Sequence, residues 1–385
     1  FTVASLVGDL PTVRSDNGLD AQSHSDSSPS YDTASTETQF PQVTHGDTDV
    51  DPVEAPHMLT LPSSDEEAEI RTQKERMISE ELRNGMSTDG AQELTAIVNQ
   101  YPDIWRLSLG EGPPAKLPPM VIRLDPGAKP VRVKLRRYAP AQRAFLTRFV
   151  NELVAAGHAF RNPNATWCCA PLIVPKQGAD QFRFTVDLRP VNKVTILSSW
   201  PMPHLDSELS RVAGSSVFAT FDISQGYWQL SLDATSQDCQ SFITPDGVFT
   251  PTRVLHGTTN AVPHLKACVQ GILGDLSDAI LAWLDDLLMH AIDEHALLKL
   301  LRLFFQLCRD YNLKLHPGKC VLFSKMVRWC GRLISFNGVR FDPRRVQALH
   351  DMALPVTGAD LQQFVCALNW MRTSIPSFAT LISPL

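Results

Sequence analysis

Two carboxylates stand side by side, Asp285 and Asp286, inside the run Ala279-Ile-Leu-Ala-Trp-Leu-Asp-Asp-Leu-Leu-Met289. A solvated turn is one reading, since Asp favours turns. The usual hairpin turn carries Gly or Asn, whereas this pair has Trp-Leu before it and Leu-Leu after it. Carboxylates held so close to apolar surface need a compensating cation, or they protonate. A third carboxylate, Asp222, follows the apolar run 217–221 and precedes a turn with Gly226 and Tyr227. Alone it reads equally as a cap or turn residue. Taken together, three carboxylates from two neighbouring strands could hold two Mg²⁺ ions about 3.5–4 Å apart, activating a 3′-hydroxyl and stabilising a transferring phosphoryl group and its pyrophosphate leaving group. Mg²⁺, with Mn²⁺ as a substitute, suits oxygen ligands and keeps several waters, so few protein groups are needed.

The elements that must position these groups follow from periodicity. Residues 217–223 read as an apolar strand ending at Asp222, and 280–289 as two hairpin arms split by the Asp pair. Helices are expected over 66–83, 91–105, 140–157 (Pro in the first turn, a closing Gly157), 262–276, 293–311 and 361–371. Strands are expected over 120–124, 131–135, 172–175, 182–188, 326–334 and 339–341, with 176–181 a hairpin-type loop. Strands and helices mix without regular alternation, which argues an α+β fold.

Composition bounds the rest. Of 385 residues, 43% are hydrophobic and 20% charged, enough for a large core. No run approaches the ~20 apolar residues of a membrane span, so no membrane partner is expected. The net charge of −6 hides a split: residues 1–70 carry −13 and residues 71–385 carry +7. A basic body behind an acidic tail permits a polyanionic partner without demanding one. Residues 1–70, rich in Ser, Thr, Asp and Pro, read as a disordered acidic linker. Residues 71–119 form a helical and Pro/Gly-rich connector. The eight cysteines all follow residue 167 and form no CxxC pair. That is the pattern of buried thiols in a reducing compartment. A zinc site from His316, Cys320 and Cys330 lacks paired ligand spacing. The first residues lack an initiator Met and a signal-type apolar block, the appearance of a fragment or processed product.

Several blocks in a fixed order carry a resemblance: Asn162-Pro-Asn-Ala-Thr-Trp-Cys-Cys-Ala-Pro-Leu-Ile-Val-Pro-Lys176, Phe182-Arg-Phe-Thr-Val-Asp-Leu-Arg-Pro-Val-Asn-Lys193, Asp222 to Gln229, Trp283-Leu-Asp-Asp286, Leu313-Lys-Leu-His-Pro-Gly-Lys-Cys320 and Val327-Arg-Trp-Cys-Gly-Arg-Leu-Ile-Ser335. Over residues 116–385, about 70% of the chain, the sequence resembles the reverse transcriptases of gypsy-like long-terminal-repeat retrotransposons. The resemblance implies a right-hand polymerase, with fingers and palm over 120–337 and the start of thumb or connection over 338–385, cut before any ribonuclease H. It implies an RNA-directed DNA polymerase acting on dNTPs and a primed RNA or DNA template, in a cytoplasmic virus-like particle and in the nucleus.

Roles transfer residue by residue. Asp222, Asp285 and Asp286 become catalytic metal ligands. Tyr227 becomes a steric gate against the ribose 2′-hydroxyl, with Ile223, Arg183, Lys176 and Gly257 as nucleotide contacts. Trp329, Cys330 and Gly331 fall where the family grips the primer, and Arg189 where a template contact or finger scaffold is expected. Core packing of Trp329 and a solvated surface for the cations remain open readings. Lys319 is a candidate general acid for pyrophosphate release. Three departures stand out: Trp283 where the family prefers Tyr, His256 where it has an aromatic, and Pro263 one place late. They leave open a degenerate module that binds nucleic acid or protein, and more weakly a two-metal nuclease.

Overall fold

The computed structural model describes residues 64–384, apart from 109, 176–181, 202–203, 285 and 373–374. The expected linker therefore lies outside the described residues except at its end. The last seven residues of that stretch lie in a helix, α1 (Ser64–Arg83), which begins two residues before the helix expected over 66–83 and has Asp65, Glu66 and Glu67 in its first turn. Acidic side chains there complement the helix dipole. α2 (Thr88–Gln100) is capped by the Ser87 side chain, which accepts from Gly90 N. An extended segment then leads to α3 (Pro140–Ala155). The strands expected over 120–124 and 131–135 make only isolated bridges, Met120 to Leu232, Leu124 to Thr195 and Arg132 to Cys168. Their alternation reflects one-sided burial along other elements rather than a sheet ladder.

Twelve strands follow among the described residues. β1 (Ala159–Arg161) joins a small sheet of order β1-β6-β5; β2 (Pro171–Pro175) and β3 (Phe182–Val186) form an antiparallel hairpin. After the short helices α4 (Arg189–Asn192) and α5 (Leu205–Leu209) comes β4 (Val217–Asp222), then β5 (Phe242–Thr244) and β6 (Gly247–Pro251). α6 (Ala261–Leu273) precedes β7 (Ile280–Trp283) and β8 (Asp286–Ala291); α7 (Glu294–Asp310) precedes β9 (Val321–Ser324). β10 (Met326–Trp329), β11 (Arg332–Ser335) and β12 (Gly338–Phe341) make a meander, followed by α8 (Pro343–His350) and α9 (Gly358–Asn369). No helix among the described residues is long and apolar enough to cross a membrane.

The central sheet has the order β7-β8-β4-β9 and is antiparallel throughout. Successive side chains of a strand point to opposite faces, and both faces here are covered. Val217, Ala219 and Phe221 join Leu287 and Met289 in the main core under α6 and α7. Phe218, Leu281 and Leu288 join a second cluster with Leu209, Val327, Trp329 and Ile334. Burial on both sides explains why these strands read as unbroken apolar runs. On the helical face, Phe221 meets Phe304 at a centroid distance of 4.7 Å, and Phe305 packs edge-on against Trp105 at 5.4 Å.

Candidate active site

Asp222 is the last residue of β4, and the register of the β4–β8 pair sets it directly opposite Asp286. β7 ends in a turn at Leu284, and Trp283 of β7 is paired to Asp286 of β8. Leu284 takes a left-handed φ of 58°, a conformation costing an L-residue roughly 1–2 kcal/mol. Such strain persists where the surroundings over-determine it, commonly at functional sites. Two of the three expected acidic residues thus stand opposite one another on one rung at the end of the central sheet. The third, Asp285, lies outside the described residues, as does Lys176. Among the described residues no group of three or more His, Cys, Asp or Glu side chains is arranged to hold a metal ion.

A cation does stand at the carboxylate of Asp222. Lys319 Nζ lies 3.2 Å from Oδ2 and 3.3 Å from Oδ1. The lysine reaches it from the 3₁₀ turn Pro317–Lys319, anchored where His316 N donates to Asp222 O at 3.0 Å. The main chain after Asp222 is tied to the same segment, with Ile223 bridged to Leu315 and Ser224 N donating to Lys314 O at 2.9 Å. Gln229 closes the loop: its Nε2 donates to Ser224 O (2.5 Å) and Lys314 O (2.9 Å), and its Oε1 accepts from Lys314 N (2.8 Å). The sequence reading assigned Gln229 no role; its place at the end of the Asp222 motif was the available signal. Beside the carboxylate, burial and the Lys319 charge lower the pKa of His316, and burial pushes the Cys320 thiol up to about 12. With imidazole and thiol neutral, the charged side chain that this turn brings to Asp222 is Lys319.

Tyr227 lies in the 3₁₀ turn Gly226–Gln229, half-buried and edge-on to His256 at 5.4 Å. Ile223 is buried, so only its main chain can serve a ligand. Gly257 has a φ of +91° and no atom within 4 Å of where a Cβ would stand, so conformation rather than crowding selects glycine. Asn192 pins this turn, donating to Gly257 O at 2.9 Å and accepting from Thr259 N at 3.0 Å. Arg183 is exposed on β3 and makes no ion pair with a described residue. Arg189 is held by Asp187 through two bonds, Nε at 2.8 Å and Nη2 at 2.7 Å, and Arg136 approaches the same carboxylate at 3.2 Å. These cations lower the Asp187 pKa, hydrogen bonding by Arg189 first.

The expected primer contact is the hairpin tip between β10 and β11. Trp329 is 4% exposed and packs in the second core cluster, so its ring is core and not open surface. Cys330 and Gly331 form the turn, with φ of 47° and 77°. A Cβ at Gly331 would lie 2.6 Å from Trp370 and 3.0 Å from Arg345. Arg332 then stacks over Phe341 at 3.7 Å and bonds Asp206 at 2.9 Å. The tip is thus seated against the C-terminal helices.

Comparison with known proteins places this geometry. Residues 174–334 match the family model described as reverse transcriptase (RNA-dependent DNA polymerase). The chain is 27% identical over 241 residues to a Retrovirus-related Pol polyprotein from transposon 297 of Drosophila melanogaster, covering 61% of this chain and 23% of that protein. It is 30% identical over 215 residues to the corresponding polyprotein from transposon 412, covering 54% and 17%. The Transposon Tf2-3 polyprotein of Schizosaccharomyces pombe is 24% identical over 296 residues, covering 76% and 22%. The chain thus spans less than a third of the length of the curated relatives it matches. A foamy viral protease-reverse transcriptase in complex with double-stranded DNA has the same fold, with a TM-score of 0.74 at 20% identity over 86% of this chain and 56% of that one. The same viral protein in complex with RNA/DNA hybrid gives 0.71 at 19% identity, covering 86% and 44%. Over residues 174–334, this chain is thus similar to the reverse transcriptase domain, and over longer stretches to retrotransposon Pol polyproteins.

Proposed function

We propose that the chain is an RNA-directed DNA polymerase that extends a primer with dNTPs by two-metal phosphoryl transfer, in an element of the gypsy-like group. The observation that carries the reading is the direct pairing of Asp222 with Asp286 at the end of the palm-type sheet, beside the strained Leu284. Carboxylate oxygens are the donor set Mg²⁺ requires. Asp222 and Asp285 would hold the ions with Asp286 close by, and the ions would supply charge neutralisation at the transferring phosphoryl group. Tyr227, fixed by the turn that leaves Asp222, would crowd a ribose 2′-hydroxyl. Arg183 would meet the incoming triphosphate and Arg189 the template, as guanidinium groups suit phosphate. The fingers and palm would span 120–337. Binding of duplex DNA and RNA/DNA hybrid by the foamy viral proteins supports a primed template as substrate.

The test is primer extension on primed RNA with Mg²⁺. Asp222→Asn should abolish incorporation, a loss of at least about a thousandfold for a group stabilising transition-state charge. Its melting temperature should stay near the parent's, because the side chain is partly exposed. An Asp222→Asn protein that extends primers at the parental rate rejects the metal assignment. The Lys319 ammonium on Asp222 favours one rival, a non-catalytic module whose carboxylate is already neutralised. Template binding without incorporation by the parent, in Mg²⁺ and in Mn²⁺, would select that rival.

A further inference from the structure

A buried ammonium lies at the free edge of the central sheet. Lys266, on α6, is 1% exposed, and its Nζ has no hydrogen-bond partner among the described residues. Lysine is almost never fully buried unless paired, because removing an ammonium from water is costly. What Lys266 has is a ring: Nζ stands 5.8 Å from the centroid of Trp283. An aromatic face attracts a cation within about 6 Å, and indole does so best. Burial lowers the lysine pKa, while the Glu208 carboxylate, itself bonded to Arg211 at 2.9 Å, favours the charged form.

The position gives the contact its meaning. Among the described residues β7 is an edge strand, with β8 on one side and no strand on the other. α6 packs along it, and the neighbours of α6 belong to the main core. Trp283, the last residue of β7, packs instead with the cluster on the opposite face. The Lys266–Trp283 contact therefore closes around the open edge of the sheet at its last rung. That rung pairs Trp283 with Asp286, and Asp286 faces Asp222 across the next strand. The adjacent Leu284 is in a strained conformation that needs external support.

We propose that Lys266 is a positioning residue for the carboxylate pair: its ammonium seats the Trp283 indole at the sheet edge, and Trp283 holds Asp286 in register with Asp222. The lysine touches no reacting atom, since its Nζ is out of reach of solvent and hence of a nucleic acid. Its catalytic consequence rests on the polymerase reading; the contact itself does not.

The decisive variant is Lys266→Met, which keeps length and removes charge. We expect nucleotide addition to slow by about ten- to a hundredfold, the size of effect that slight misplacement of reacting groups produces. The KM for dNTP should hold and the melting temperature should not fall, because a buried charge has been removed. Trp283→Leu should reproduce the rate loss with Lys266 present, and Lys266→Arg should recover much of it. An unchanged rate in folded Lys266→Met or Trp283→Leu overturns the proposal. So does a rate loss that tracks a lost melting temperature. A parent that incorporates nothing defeats the polymerase reading on its own. The contact is then judged by the melting temperatures of Lys266→Met, Trp283→Leu and the double variant. Non-additive shifts support the pairing, and additive shifts reject it.

Discussion

At the scale of single residues, the ion pair between Lys319 and Asp222 sets a competition. Its atoms are 3.2 Å apart, with the lysine more than half exposed and the carboxylate one quarter exposed. An exposed pair of this kind contributes at most about 1 kcal/mol, so it can yield to a doubly charged ion at modest cost. Removing the lysine frees the carboxylate. Lys319→Met should therefore lower the Mg²⁺ concentration for half-maximal incorporation several-fold, on the order of the factor of five that 1 kcal/mol represents. A magnesium titration of initial rates checks this, and an unchanged midpoint rejects the competition. The juxtaposition of Asp222 and Asp286 was legible because charges beside apolar runs are conspicuous. The lysine's contact was not, since 97 positions separate it from Asp222 and the intervening turns decide where it lands. Trp329 shows the opposite failure. Its motif position suggested a ligand contact, but on a strand one side chain in two faces inward, and its parity put it in the core.

At the scale of elements, the hairpins β2–β3 and β7–β8 were readable, whereas the run 326–334, expected as one strand, folds into the two strands β10 and β11. The strand around Asp222 and the two arms flanking 284–285 followed from hydrophobic runs and turn positions. β5, β6 and β9 were missed because short strands buried by partners distant in sequence carry weak local patterning. The helix expected over 66–83 is present, but it is more than a surface helix. It packs on β9 and places Glu81, 1% exposed, where Oε1 accepts from Leu322 N at 2.6 Å and Oε2 from Asn84 Nδ2 at 2.9 Å. A free strand edge is thereby satisfied by a side chain. Burial raises the Glu81 pKa to about 7, above its ordinary 4.5. The folded chain then binds a proton more tightly than the unfolded one. This group's contribution is full below about pH 4.5 and is lost as pH rises towards 7, by up to roughly 3 kcal/mol. Glu81→Gln keeps an acceptor for Leu322 and removes the titration. In urea unfolding, the variant should gain on the parent between pH 5 and pH 8. A difference between the two proteins that does not change with pH means Glu81 titrates as an ordinary carboxyl.

At the scale of the whole molecule, net charge conceals where nucleic acid would be held. The chain totals −6, yet residues 71–385 carry +7. The exposed cations Arg132, Lys134 and Arg137 lie on one extended segment, fixed to the body by the bridge from Arg132 to Cys168. Arg136 on the same segment is committed to Asp187. A template strand is a line of phosphates, and every phosphate neutralised by a protein cation releases condensed counterions. The salt dependence of binding therefore counts contacts, with log K falling against log salt by about 0.9 per phosphate on a duplex and about 0.7 on a single strand. Replacing Arg132, Lys134 and Arg137 together by Gln should flatten that slope by roughly 2 to 3 if all three meet phosphate. The effect should be the same for every template sequence, since phosphate contacts position without reading bases. Catalytic rate at saturating template should hold, because none of the three belongs to the Asp222 region. Anisotropy titrations from low to moderate salt measure the slope. A slope unchanged in the triple variant would move the template path off this segment, and a fall in saturated rate would mean the segment shapes the site rather than gripping the strand.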